Sequence, residues 1–202
     1  MRSLVIDTAT KACSVALYRD DKIIAASFEV IGRGHAERLL PLIAALPERG
    51  RADQILVDIG PGSFTGIRIG VAAAKALGFA WNIPVHGYSC LSLVAAMTFE
   101  KCPVVNAIDI VMTGGHGEYF SGSFDTACNA ISPTVSIKPE TIAAFCHAKY
   151  IGGDFDPGID DKIWIDVLPD AQKWHLIREL PNLAPSPLYG RAPDAKPAMV
   201  MS

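Results

Sequence analysis

The sequence has no two histidines three to five residues apart and no Cys-x-x-Cys pair, so the common zinc spacings are missing. It has no G-x-S-x-G elbow either, which leaves a peptidase of that kind without a nucleophile. No stretch of eighteen uncharged apolar residues occurs, which argues against a transmembrane helix. The first apolar run stops at Asp7 and reads as a strand, not as a signal peptide. Excess basic charge is lacking too: 18 Lys and Arg against 21 Asp and Glu give a net charge of −3. That excludes a strongly basic nucleic-acid binder, though not a small local patch. The five cysteines, at 13, 90, 102, 128 and 146, are scattered and odd in number. They read as reduced thiols, and hence predict a cytoplasmic protein.

The 202 residues, half of them hydrophobic, suit one domain or two small ones. Residues 4–6, 13–18 and 22–28 read as three strands of an antiparallel meander. Residues 36–46 carry a helical pattern with Pro41 inside it, which predicts a kink or a late start. A buried-type strand at 55–59, a long helix at 67–81, a short strand at 84–87 and a helix at 89–97 follow. Residues 104–108 read as another strand. Beyond them the pattern loosens into strands at 118–124, 134–138 and 150–151 and a helix at 139–147. From Pro181 the chain is proline-rich and reads as extended over the surface.

Three antiparallel strands followed by helix, strand, helix, strand predict an α/β fold, a mixed sheet flanked by helices. This order matches the ribonuclease H-like unit of the actin-like ATPase fold, shared with sugar kinases. The expected division is residues 1–104 as the ribonuclease H-like N-terminal domain. Residues 105–202 are then a smaller, reduced second lobe with an extended C-terminal tail.

Two segments could carry chemistry. The turn Asp7-Thr8-Ala9-Thr10 ends the first strand, where nucleotide-binding members of that superfamily place an aspartate facing a metal or phosphate. Here Thr8 replaces the expected glycine and narrows the room for phosphate, which favours Asp7 and Thr10 as caps of the turn over tight nucleotide binding. The loop Gly60-Pro61-Gly62-Ser63-Phe64-Thr65-Gly66 is neither a P-loop nor G-x-G-x-x-G. Gly62, Ser63 and Thr65 could contact an anion at the helix start, with Arg68 adding charge. Otherwise the loop is a tight strand-to-helix connection capped by Ser63 or Thr65. Gly66, Gly70, Ala74 and Gly78 then recur every four residues along one helical stripe. Such a stripe lets another helix approach closely, in the same chain or in a partner.

Together IDTATKACSVAL (6–17), HAERLLPLI (35–43), GPGSFTGIRIGVAAAKALG (60–78), IPVHGYSCL (83–91) and PLYGRAPDAKP (187–197) resemble the bacterial TsaB family, also called YeaZ. The resemblance implies an actin-like fold and a non-catalytic role in making threonylcarbamoyladenosine beside the tRNA anticodon. It implies pairing with a TsaD-like catalytic subunit, with a TsaE-like ATPase joining the assembly and tRNA met only through the complex. Homodimers through the same helical face are a further family property. The partner face would include His35, Leu39, Gly66, Arg68, Gly70, Ala74 and Gly78. No cofactor is expected in the isolated chain; ATP or ADP and magnesium belong to the assembled complex. One departure is the Asp-Ala-Arg turn usual in the second lobe. Residues 113–117 stand in its place without the arginine, although Asp109 is nearby. A stand-alone actin-like ATPase or phosphotransferase is the alternative, resting on Asp7 to Thr10 and the glycine loop.

Overall fold

The computed structural model describes residues 1–102, 105–115 and 117–189. The expected meander forms as β1 (Arg2–Asp7), β2 (Ala12–Arg19) and β3 (Lys22–Val30). Two crossovers add β4 (Gln54–Asp58) and β5 (Val85–Tyr88), both parallel to β1, giving the order β3-β2-β1-β4-β5. Alternation sorts the two faces of this sheet. Leu4, Ile6, Ile55 and Val57 join the cluster containing Leu39, Leu42, Ile67 and Val71, which come from α1 (His35–Ala45) and α2 (Phe64–Trp81). Val5, Ala16, Tyr18 and Leu56 join Leu93 and Ala96 of α3 (Cys90–Lys101) on the other face. This mixed sheet between helices is the actin-like, ribonuclease H-like architecture.

Pro41 neither delays nor ends α1, which runs through it. The proline removes only the bond to the carbonyl of Glu37, and both residues are exposed, so water can take that carbonyl. Ser63 is the N-cap of α2, accepting from the Gly66 amide, and Ser89 caps α3 by accepting from Ser92.

The second sheet has the order β10-β9-β6-β7-β8, from β6 (Ala107–Thr113), β7 (Tyr119–Asp125), β8 (Val135–Ile137), β9 (Tyr150–Gly153) and β10 (Ile163–Asp166). Two expectations are corrected here. The helix predicted at 139–147 shrinks to a 3-10 turn and one α turn, Pro139–Thr141 and Ile142–Phe145. Of the strand predicted at 104–108, residue 104 lies outside the described residues, and the strand runs over Ala107–Thr113. Strand β10 was not anticipated.

After β10 the chain returns to the first sheet. Ala171–Ile177 winds as a 3-10 helix on the α3 face, and Tyr18 donates to the carbonyl of Gln172 at 2.7 Å. Leu183 then bridges Gly87 on the edge strand, and the Leu188 amide donates to Ile59. So the stretch 171–189 packs on the N-terminal unit, although the sequence division puts it with the second lobe. The end of the PLYGRAPDAKP motif, from 190 on, lies outside the described residues.

Candidate functional site

The two candidate segments come together at the ends of β1 and β4. Asp7 and Asp58 both have zero exposure. Asp7 accepts from the Ala9 amide and from the Tyr88 hydroxyl, and Asp58 accepts from the Gly60 amide. Burial, then the neighbouring Asp58 charge and the hydrogen bond with it, push the Asp7 carboxyl well above the usual carboxylate range. Burial also raises Asp58, while the hydrogen bonds it accepts hold it back. Beyond the Gly60 amide, Asp58 meets Asp7 and the Cys90 thiol. These directions favour a protonated Asp7 beside Asp58, since two neighbouring buried carboxyls resist ionising together.

The glycine loop lies directly on this turn. Ser63 donates its amide to the Ala9 carbonyl at 2.6 Å. The Thr8 hydroxyl donates to the Gly66 carbonyl at 2.8 Å. A side chain on Gly62 would run into the Ala9 carbonyl, and one on Gly66 into the Thr8 carbonyl. The glycines therefore exist for close approach of loop to turn. Of the anion candidates, Asp7 and Thr10 are buried and used within the turn, Thr10 accepting from the Ala12 amide. Gly62 is packed against Ala9, and Ser63 has both its amide and its hydroxyl engaged. Only Thr65 is exposed. Neither carboxylate reaches the surface and the loop occupies the space beside them, so the turn does not fit a magnesium-nucleotide. Among the described residues no group of three or more metal-binding side chains assembles.

The small-residue stripe is corrected in the same way. Gly66 and Gly70 face Thr8, Gly78 faces Val85, and Ala74 is fully buried. The close approach is between α2 and its own sheet, not between α2 and another subunit. His35 and Leu39 are buried as well, His35 with Nε2 against the Ala12 carbonyl at 3.0 Å. Of the expected partner residues, Arg68 alone is exposed. Its guanidinium lies 3.6 Å from the centre of the Phe64 ring, and its Nε donates to the Tyr189 hydroxyl at 2.9 Å.

The opposite side of α2 carries a signal that the sequence analysis missed. Ala72, Ala76, Phe79 and Ala80 are all exposed, Phe79 by 91%. Leu40, 52% exposed, and Ala44 add apolar surface on the neighbouring α1. Apolar residues left over at i, i+4 and i+7, once the glycine stripe is assigned inward, would have marked this face. In the second lobe Asp109 is buried and accepts from the Ser123 hydroxyl and the Ala148 amide. It braces the lobe and is not presented at the 113–117 turn; His116 lies outside the described residues.

Comparison with known proteins adds to this geometry. Residues 28–154 match the family model of TsaD, tRNA N6-adenosine threonylcarbamoyltransferase. The chain is 36% identical over 156 residues to the tRNA threonylcarbamoyladenosine biosynthesis protein TsaB of Escherichia coli, covering 70% of this chain and 64% of that protein. The TsaB protein of Haemophilus influenzae is 37% identical over 124 residues, covering 58% and 52%. The matches thus span less than two thirds of these relatives' own length. The solved structure of YeaZ from Pseudomonas aeruginosa superposes with a TM-score of 0.77 at 26% identity, over 93% of this chain and 99% of that one.

Proposed function

The chain belongs to the TsaB (YeaZ) family, and from that premise we propose that it serves tRNA threonylcarbamoyladenosine biosynthesis as a non-catalytic partner subunit. In this reading it binds and activates a TsaD-like catalytic subunit. A TsaE-like ATPase joins the assembly, and tRNA is met only through the complex. The observation that carries the reading is the closure of the Asp7–Thr10 turn by the chain's own loop. A subunit whose phosphate-side turn is filled by its own backbone contributes surface and not turnover. ATP, ADP and magnesium then belong to the assembled complex. The surface offered is the exposed apolar side of α1 and α2 around Leu40, Ala76 and Phe79. This face could also pair two copies of the chain, in exchange with the catalytic partner.

Mixing the purified chain with a TsaD-like protein at micromolar concentration is expected to give one co-eluting species in size-exclusion chromatography. Separate elution would overturn the proposal. The alternative, a stand-alone ATPase, expects tight magnesium-ATP binding by the isolated chain that is lost in Asp7→Ala. Titration calorimetry distinguishes the two, and we expect no saturable heat. Among the described residues no helix is long and apolar enough to cross a membrane.

A further inference from the structure

A crevice of about 180 Å³ adjoins the closed turn through Tyr88, whose hydroxyl is held by Asp7. Three separate parts of the chain wall it: the end of β5 with the first turn of α3, the turn after β7, and the returning segment from Trp174 to Leu183. Its body is apolar, from Tyr88, Cys128, Trp174, Ile177 and Leu180. Tyr88, Cys128 and Ile177 are buried members of one core cluster, so this wall is fixed by packing. A cavity of comparable volume lined by apolar side chains accepts a benzene-sized ring.

Polar groups converge on that body without partners of their own. Ser92 lines the crevice and is only 8% exposed, yet its hydroxyl makes no hydrogen bond to the described residues. A hydroxyl left free at the wall of a crevice is met by water or by whatever displaces that water. At the mouth the carboxamides of Asn129 and Asn182 are likewise unengaged among the described residues. Each offers a donor and an acceptor side by side. The cation of the wall is Arg178, and it already faces Asp21 at 2.6 Å and Glu179 at 3.1 Å. The crevice therefore has no uncompensated charge to select an ion. It offers flat apolar walls, one deep hydroxyl, and amides that match a paired donor–acceptor edge.

We propose that this crevice is a binding site for a neutral planar heterocycle of nucleobase size. The ring lies against the Tyr88, Ile177 and Leu180 wall. One ring heteroatom meets the Ser92 hydroxyl, and the outer edge pairs with the Asn129 carboxamide as amides pair with base edges. This site is independent of the partner face on α1 and α2, so its failure would leave the proposed function standing.

The probes are free adenine and free uracil, added to the intact chain and followed by saturation-transfer NMR. We expect saturable binding in the millimolar range and competition between the two bases. Ser92→Val and Asn129→Leu are each expected to weaken it about fivefold, the worth of one hydrogen bond. Asn129 is exposed, so its variant keeps the test readable should Ser92→Val fail to fold. Absence of saturable transfer from both bases, or binding unchanged in the folded variants, would overturn the proposal.

Discussion

At the scale of single residues, the raised carboxyls of Asp7 and Asp58 have the sharpest consequence. Both carboxyls are raised in the folded chain, so this pair binds more protons in the native state than in the unfolded chain above the ordinary carboxylate pKa near 4. The contribution of this pair must then fall as pH rises from about 4 through the raised native values, and it is fully present below that window. This is opposite to the behaviour of a salt-bridged carboxylate. Asp7→Asn keeps a donor toward Asp58 but cannot ionise. Its gain at pH 7 is expected to be at least ~1 kcal/mol, the worth of one pKa unit, and to vanish near pH 3. Urea titrations of both proteins across this pH range measure it. A variant no more stable than the parent at pH 7 would show that the Asp7 carboxyl is not raised.

At the scale of elements, α2 has two sides with different purposes. The glycine side is filled by Thr8, Val57 and Val85 of the chain's own sheet. Glycine inside a helix costs roughly 1 kcal/mol relative to alanine, and close packing on the sheet offsets that. Gly70→Leu would drive a side chain into Thr8 and Val57. The expected loss is about 1–3 kcal/mol or more, read as a lower melting temperature of the isolated chain. A partner-binding assay on this variant would therefore report folding and not the interface. The four-residue spacing was legible in the sequence, but which neighbour filled the groove was not. A small-residue stripe states only that something approaches closely; the crossover geometry of β1, β4 and α2 decides what.

On the scale of the whole molecule, the returning segment ties the two ends of the chain into one body. Tyr18 is fully buried, and its hydroxyl reaches the carbonyls of Gln172 at 2.7 Å and Ala171 at 3.3 Å. Tyr18→Phe leaves the ring packing and removes those bonds. The expected cost is about 1 kcal/mol in chemical denaturation, and faster proteolysis of the segment beyond Asp170 should accompany it. The proposed partner face belongs to this scale as well. Phe79→Glu together with Leu40→Glu sets charge on exposed apolar surface. Thermal stability should stay within about 0.5 kcal/mol of the parent, while association with a TsaD-like protein falls at least tenfold. Binding measured by calorimetry tests this, and unaltered affinity would move the interface elsewhere.

Hydrophobic periodicity and punctuation by themselves determined the first lobe. Alternation in residues 13–18, the Asp20-Asp21 turn, and Ser63 and Ser89 ahead of apolar runs specify strands, hairpin and helix starts through local forces. The motif order likewise carried the family resemblance. Only the tertiary structure decided the rest, because it depends on contacts between residues far apart in sequence. The burial of Asp7 against Asp58, the filling of the glycine groove by Thr8, and the return of Tyr18's partner from beyond residue 170 have no local signal. The weak strands of the second lobe owe their pairing to neighbours, as in the parallel β9–β10 pair at 150–153 and 163–166. The physical reason is common to all: periodicity says which side of an element faces inward, and packing alone says what it meets there.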